Sequence, residues 1–386
     1  MDHCLGTEEL HWQNVARDFA QDEVAPIARQ MDEDGEMPLR LVKRMGELSL
    51  LGATLPKKFG GSEMSHLALA LCYEELGQAC SSVRGFMTVH SSLVMQCIER
   101  WGSDAQKIEW LPKLASAGAI GCYALTEPEA GSDAASIRTT ATKTTGGYLL
   151  NGEKIWITNG GIAQVALVFA KQSDITSEKE HQKITAFIVP TSSVGFDREK
   201  MPGKELGHRA SDHAHLHFRD CFVAEENILG GAGNGFKVAM SALDSGRLGV
   251  AAGALGVHQA CLDASLAFVR QRRQFGQRIA DFEMVQACLA DMKVSLEASR
   301  HLVYHAAWKK DQGEDSTLET SMAKLHATEA ALKAASDAIL LHGGRGYSNE
   351  YPVERYYRDI KGLQIYEGTS FIQKIVIARK IVGKES

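Results

Sequence analysis

Gly146-Gly147-Tyr148-Leu149-Leu150-Asn151-Gly152 marks where the hydrophobic period of this chain changes from helix to strand. The glycine pair is a turn signal between two short runs, Ile137-Arg138-Thr139-Thr140-Ala141-Thr142 and Tyr148-Leu149-Leu150-Asn151-Gly152. Alternation and β-branched residues in these runs, and again in Val165-Ala166-Leu167-Val168-Phe169-Ala170, predict strands. Toward the N-terminus the period is helical, with apolar residues three and four apart in Leu41-Val42-Lys43-Arg44-Met45-Gly46-Glu47-Leu48 and in Leu67 to Leu76. Pro56 and Gly60-Gly61 punctuate that region. Beyond Gly230-Gly231 and Gly233-Asn234-Gly235 the helical period returns, with Ala-rich segments such as Ala323 to Leu341. The chain therefore reads as α+β, with an N-terminal helical domain over 1–118, a middle β domain over 119–229 and a C-terminal helical domain over 230–386. At 386 residues, two or three packed units are expected in any case.

Composition excludes several classes. A net charge of −6 argues against a nucleic-acid binder, which would show a basic excess. The N-terminus lacks a basic stretch followed by an apolar one and no long uninterrupted apolar run occurs, so a cytoplasmic protein with no membrane partner is expected. The cysteines Cys4, Cys72, Cys80, Cys97, Cys122, Cys221, Cys261 and Cys288 include no Cys-x-x-Cys pair, which predicts buried, reduced thiols. His213-Ala214-His215-Leu216-His217 is the densest histidine cluster, and strand alternation would put all three rings on one face. The cluster contains no Cys, Asp or Glu to complete a ligand set, and Asp212 and Asp220 flank it without metal spacing. No metal is therefore expected, and a half-exposed strand with polar rings outward is the reading.

Leu363-Gln364-Ile365-Tyr366-Glu367-Gly368-Thr369-Ser370 places one carboxylate among apolar residues with no cation beside it. Such a carboxylate holds its proton more tightly and can act as a base, so Glu367 is the first catalytic candidate. Gly368 lets a ring or substrate approach the backbone closely. Taken alone, the stretch reads more readily as a polar residue at a helix entrance. Companion motifs change that reading: Tyr123-Ala124-Leu125-Thr126-Glu127-Pro128-Glu129-Ala130-Gly131-Ser132-Asp133, then Trp156-Ile157-Thr158-Asn159-Gly160, Asp244-Ser245-Gly246-Arg247, Arg272-Arg273-Gln274-Phe275-Gly276 and His342-Gly343-Gly344-Arg345-Gly346-Tyr347. In this order and at these separations the motifs resemble the acyl-CoA dehydrogenase family of flavoenzymes over essentially the whole chain.

The resemblance implies that family's fold, with a β-barrel-like middle domain and a C-terminal four-helix bundle, and it implies FAD as cofactor. It makes Glu367 the base that removes the α proton of an acyl thioester, with the Glu367 N–H and a flavin hydroxyl holding the thioester oxygen. The branched-chain type carries its base just before the Arg of the Asp244–Arg247 segment, where this chain has Gly246, so position 367 has no competitor. The flavin is assigned to Tyr123, Leu125, Thr126, Ser132, Trp156, Ile157, Thr158 and Thr369. Thr126 and Thr158 are expected at the ring edge, Trp156 on a ring face and Ser132 at the phosphate and the ligand. Arg272 resembles the residue that reaches the pyrophosphate of a neighbouring subunit's flavin, with Phe275 packed beside it and Gly343 and Gly344 admitting the dinucleotide. Three positions depart from the pattern: Leu340 and Glu283 stand where Gln is usual, and Phe371 where an acid is usual.

Substrate contacts are assigned to Arg84, Thr88, Ser132, Asp244, Arg247 and Gly368. The segment Ser81 to Ser92 resembles that of glutaryl-CoA dehydrogenases, where an Arg and a hydroxyl four residues on receive a distal carboxylate. Together with the His213–His217 segment it also resembles the acyl carrier protein dehydrogenases of hydroxymalonyl and methoxymalonyl extender-unit synthesis. Both imply a short polar or carboxylated acyl group, because a buried Arg calls for an anionic partner. The alternative for Arg84 is a solvated helix face. The implied partners are an acyl-CoA or acyl carrier protein thioester, an electron-transfer flavoprotein, and further copies of the chain in a homotetramer or homodimer. An oxygen-using oxidase or monooxygenase on the same fold is the second reading, marked by aerobic turnover with peroxide release. A non-catalytic thioester-binding scaffold is the third, marked by a colourless protein.

Overall fold

A computed structural model describes residues 5–383, so Cys4 lies outside the described residues. The N-terminal third is helical: α1 (Thr7–Phe19), α2 (Ala28–Asp34), α3 (Leu39–Glu47), α4 (His66–Ala79), α5 (Ser81–Met87), α6 (Gln96–Trp101) and α7 (Asp104–Ala115). Helix α4 is buried along almost its whole length, its apolar residues enclosed by neighbouring helices and its buried Glu74 and Glu75 paired with Arg300 at 2.6 Å and Arg17 at 2.7 Å. Ser65 starts it by accepting the Ala68 N–H at 3.0 Å, and a Ser103/Gln106 capping box starts α7. Between α5 and α6 the helix widens into a π-helical segment, Thr88–Met95, a local irregularity that often marks functional positions.

The middle third is one eight-stranded mixed sheet of β1 (Gly121–Ala124), β2 (Thr140–Thr144), β3 (Gly147–Thr158), β4 (Val165–Gln172), β5 (Ile184–Pro190), β6 (Phe196–Lys200), β7 (His213–Ala224) and β8 (Ile228–Leu229). Their order is β6-β7-β3-β2-β4-β5-β8, with β1 added parallel to β4. β2 and β3 form the hairpin expected at the glycine pair, with Thr144 opposite Gly147 and Gly146 at φ 77°. The strand predicted from Ile137 begins only at Thr140. The cause is Glu127, whose carboxylate takes the Arg138 and Thr139 N–H groups, the latter at 3.0 Å, before they can join a ladder. As expected, β7 alternates, with Ala214, Leu216 and Phe218 buried and the three histidines half-exposed. The seven described cysteines are free thiols, six of them buried.

The last third consists of α8 (Gly235–Gln271), a hairpin of β9 (Arg273–Gln274) and β10 (Gln277–Arg278), α9 (Glu283–Asp311), α10 (Thr317–His342), α11 (Val353–Leu363) and α12 (Ser370–Val382). Helix α8 is long and apolar enough to cross a membrane by length and composition, but it packs against α4, α9 and α10 and 67% of its most apolar window is buried. Gly246, Gly249, Gly253 and Gly256 form a stripe along one face of α8. A Cβ at Gly256 would lie 2.1 Å from the Glu74 backbone oxygen, and one at Gly77 of α4 would lie 2.5 Å from the Gly253 oxygen, so the stripe lets α4 and α8 touch backbone to backbone. The same stripe makes room for three side chains. A Cβ at Gly249 would meet Thr88 at 2.9 Å, one at Gly253 would meet Arg84 Nε at 2.5 Å, and one at Gly246 would meet Glu367 Oε2 at 1.9 Å.

Candidate active site

Glu367 sits in the short turn between α11 and α12, where it and Gly368 take φ values of 55° and 93°. A left-handed glutamate costs energy unless its surroundings hold it, and such strain gathers at functional positions. Here the turn's carbonyls are held by buried side chains. Lys324 Nζ donates to the Gly368 oxygen at 2.9 Å, and Gln373 Nε2 donates to the Glu367 and Gly368 oxygens at 3.2 and 2.8 Å. Arg247 Nε reaches the Glu367 oxygen at 3.4 Å while its Nη1 pairs with Asp244 Oδ1 at 2.8 Å. Asp244 Oδ2 also accepts from Thr317 at 3.3 Å. Thr369 closes the turn by capping α12.

The Glu367 carboxylate points at Gly246, and its Oε2 is buried without a hydrogen-bond partner. Burial pushes the Glu367 carboxyl up to about 7, against the opposing pull of the Arg84, Lys324 and Arg247 charges. The sequence places no cation beside Glu367. The fold brings three near it, from α5, α8 and α10, and desolvation outweighs them all. Burial likewise lowers the Lys324 ammonium to about 8, with the Glu367 charge resisting.

Arg84 is 1% exposed, which excludes the solvated-face reading. Its Nη1 donates to Thr88 Oγ1 at 3.3 Å, its Nη2 donates to the Tyr366 hydroxyl, and its Nε has no partner. No carboxylate pairs with it among the described residues. Tyr366 stands edge-on to His208, and burial pushes its hydroxyl up to about 12 despite Arg84. Tyr73, hydrogen-bonded to Ser92 at 2.8 Å, packs with Thr88 against Gly249.

On the sheet side, a register shift between Lys154 and Ile157 in the β3–β7 pairing coincides with φ 58° at Trp156, which leaves the indole 52% exposed. Ile157 is buried and Thr158 half-buried. The loop after β1 is tied to this bulge. The Ile155 N–H donates to the Thr126 oxygen at 3.0 Å, and buried Lys154 donates to the Leu125 oxygen and Glu127 Oε1 at 2.9 and 2.7 Å. Tyr123 and Leu125 are buried, the Tyr123 hydroxyl donating to the Ala239 oxygen at 3.2 Å, and Ser132 is exposed. An exposed aromatic ring on a bulge, clamped beside Thr126 and Thr158, fits the face and edge of a flavin.

The remaining assignments form a second group on the C-terminal bundle. Arg272 ends α8, Phe275 is 93% exposed at the hairpin tip with φ 52°, and Glu283 is exposed at the start of α9. Leu340, Gly343, Gly344 and Phe371 are exposed too, and a Cβ on either glycine would meet nothing. No hydrogen bond joins this group to Trp156 or Glu367 among the described residues. Sequence pattern alone gives no role to Tyr366, Lys324, Gln373 or His208. Tyr366 adjoins Glu367 and was within reach. Lys324 stands out only as a cation in an apolar helix, and no local signal marks it as buried.

Comparison with known proteins accounts for this arrangement. Residues 6–118, 122–221 and 233–382 match the N-terminal, middle and C-terminal domains of acyl-CoA dehydrogenase. The chain is 42% identical over 376 residues to an acyl-CoA dehydrogenase of Bacillus subtilis (strain 168), covering 97% of this chain and 98% of that one. Butyryl-CoA dehydrogenase from Megasphaera elsdenii is similar in structure, with TM-score 0.95 and 38% identity over 99% of this chain and 100% of that one. Glutaryl-CoA dehydrogenase from Mycobacterium smegmatis gives TM-score 0.94 and 34% identity, covering 100% and 97%. A prolyl acyl carrier protein oxidase gives TM-score 0.93 and 31% identity, covering 99% and 100%. Fold and site thus define a flavin-dependent oxidoreductase. The chain belongs to the acyl-CoA dehydrogenase family.

Proposed function

We propose that this chain dehydrogenates a short acyl thioester, carried on coenzyme A or on an acyl carrier protein, with Glu367 as the base. The carrying observation is the buried, unpartnered Glu367 Oε2, on a carboxyl whose proton affinity is raised to about 7. A base with that affinity is half-ionised near neutrality and strong enough to take a proton activated by a thioester. Removing the α proton builds charge on the thioester oxygen. The Glu367 N–H, which donates no hydrogen bond among the described residues, is free to receive it. FAD, when bound, supplies acceptance of the β hydride. Tyr123, Leu125, Thr126, Ser132, Trp156, Ile157 and Thr158 would hold the flavin within one chain. Thr369, in the Glu367 turn, would add to that set, and Arg272, Phe275, Glu283, Leu340, Gly343, Gly344 and Phe371 would contribute from a neighbour in a homotetramer or homodimer. An electron-transfer flavoprotein would take the electrons onward, in the cytoplasm.

The acyl group proposed is polar or carboxylated, received by the Arg84 guanidinium with Thr88 beside it. A buried guanidinium with an unpaired N–H and no carboxylate is unusual unless a ligand supplies one. Ser132, Asp244, Arg247 and Gly368 would line the rest of the thioester path. Similarity to an acyl carrier protein oxidase keeps the oxygen-using reading as the second one. Anaerobic titration of the purified holoprotein with butyryl, carboxylated and hydroxylated thioesters of both carriers is the test. Loss of flavin absorbance is expected with a short acyl thioester, and bleaching by none of them would overturn the proposal. Peroxide release in air without an added acceptor would favour the oxidase.

A further inference from the structure

The histidine strand β7 is not used by the proposed chemistry, yet its surroundings are those of a ligand set. His215 and His217 are two apart and share the outer face of the sheet, with ring centroids 4.0 Å apart. Their flanking strands each present an acid: in the β3 pairing Glu153 lies opposite His217, and in the β6 pairing Glu199 lies opposite His215. His215 Nε2 is 2.8 Å from Glu153 Oε2, and Glu199 Oε1 is 3.2 Å from His217 Nε2 and 3.6 Å from His215 Nδ1. One donor atom from each of Glu153, His215 and His217 can be chosen so that all lie within 4.8 Å of one another. The carboxylates missing from the His213–His217 sequence are thus supplied by the neighbouring strands, 62 and 16 residues from His215.

We propose that His215, His217 and Glu153 form a surface site for a divalent transition-metal ion, with Glu199 or water in the fourth position. Two imidazoles and one carboxylate match the donor set of a three-protein-ligand zinc site that keeps one position open. Imidazole nitrogen selects zinc, nickel or copper over magnesium and calcium, which prefer all-oxygen shells. All three side chains are on the sheet surface and Glu153 is exposed, so they have room to turn toward one ion. His213, held by Glu205 at 3.0 Å, stays outside the set.

Titrating untagged, chelator-treated holoprotein with Zn2+ in a calorimeter tests the site. One saturable ion per chain is expected, with affinity falling about tenfold or more in His215→Asn/His217→Asn and little changed in His213→Asn. Unchanged affinity in the double variant, or no saturable binding to the wild type, would overturn the proposal. Cu2+ bound to the wild-type protein gives a second reading that needs no variant. Its electron paramagnetic resonance should show coupling to two imidazole nitrogens, and a spectrum with none would count equally against the site.

Discussion

Glu367 and Gly246 share one volume. A Cβ at 246 would overlap the carboxylate oxygen, so the base can stand at 367 only because position 246 has no side chain. Gly246→Ala should therefore fold and keep its flavin while pushing the carboxylate aside, lowering kcat by about 10²-fold, the scale of a misplacement near 1 Å. Stopped-flow flavin reduction measures this, and an unchanged rate would remove Glu367 from the proposed role. Glu367→Gln should bind flavin and ligand yet lose roughly 10²–10⁴-fold or more in reduction rate, since position 246, a glycine, offers no second base. For the wild type, a base that titrates near 7 gives a kcat/KM that rises as pH increases through that value. Lys324→Met removes a charge that favours the ionised carboxylate, so the rise should move to higher pH. The raised proton affinity also bears on stability. The folded chain holds the Glu367 proton to about pH 7 and the unfolded chain only to its ordinary 4.5, so stability present below 4.5 is lost as pH rises through 7. Glu367→Gln should accordingly raise Tm relative to wild type at pH 8 and less so at pH 4.

At the scale of elements, the bulge in β3 and the loop after β1 act as one unit because Lys154 and Glu127 are both buried and bonded to each other. Burial lowers the Lys154 ammonium to about 8, and the Glu127 charge holds it from falling further. Lys154→Met would leave Glu127 buried with its cation gone, a loss of about 3–5 kcal/mol in unfolding free energy. It should also loosen flavin retention, because Leu125 and Trp156 lose their common anchor. Denaturant unfolding and flavin release on dialysis measure the two effects, and a variant as stable as wild type would show the pair to be dispensable. This unit also shows what was legible in the sequence. The motifs containing Thr126, Trp156 and Glu367 could be read directly, since each is a short run with a turn or an exposed ring. The start of β2 could not, because Glu127 claims the Arg138 and Thr139 N–H groups from 11 and 12 positions away. Nor could the cations around Glu367, which reach it from three helices, or the carboxylates around His215 and His217, which come from two other strands. Periodicity reports which face of an element is buried, and it carries no record of which distant residue that face will meet.

At the scale of the whole molecule, the C-terminal bundle exposes large apolar side chains where an isolated chain would hide them: Phe275 at 93%, Met284 at 87%, Tyr347 at 90%, Leu340 at 74% and Phe371 at 75%. Phe275 holds a left-handed backbone at the tip of a two-residue-strand hairpin. An aromatic ring displayed at such a cost, with Phe282 edge-on at 6.1 Å, suits insertion into another surface. Arg272 stands at the base of the same hairpin with no carboxylate partner among the described residues, which leaves its guanidinium free for phosphate oxygens. If a neighbouring copy receives both, assembly and flavin binding are linked, and each should strengthen the other by mass action. Phe275→Asp should lower the mass in sedimentation and lower flavin occupancy with it, whereas Arg272→Ala should lower flavin occupancy first and weaken assembly only as flavin is lost. Adding excess FAD should then restore the assembled mass of Arg272→Ala more completely than that of Phe275→Asp. A monomeric wild-type protein with full flavin occupancy would separate the two properties and confine the whole cofactor site to a single chain.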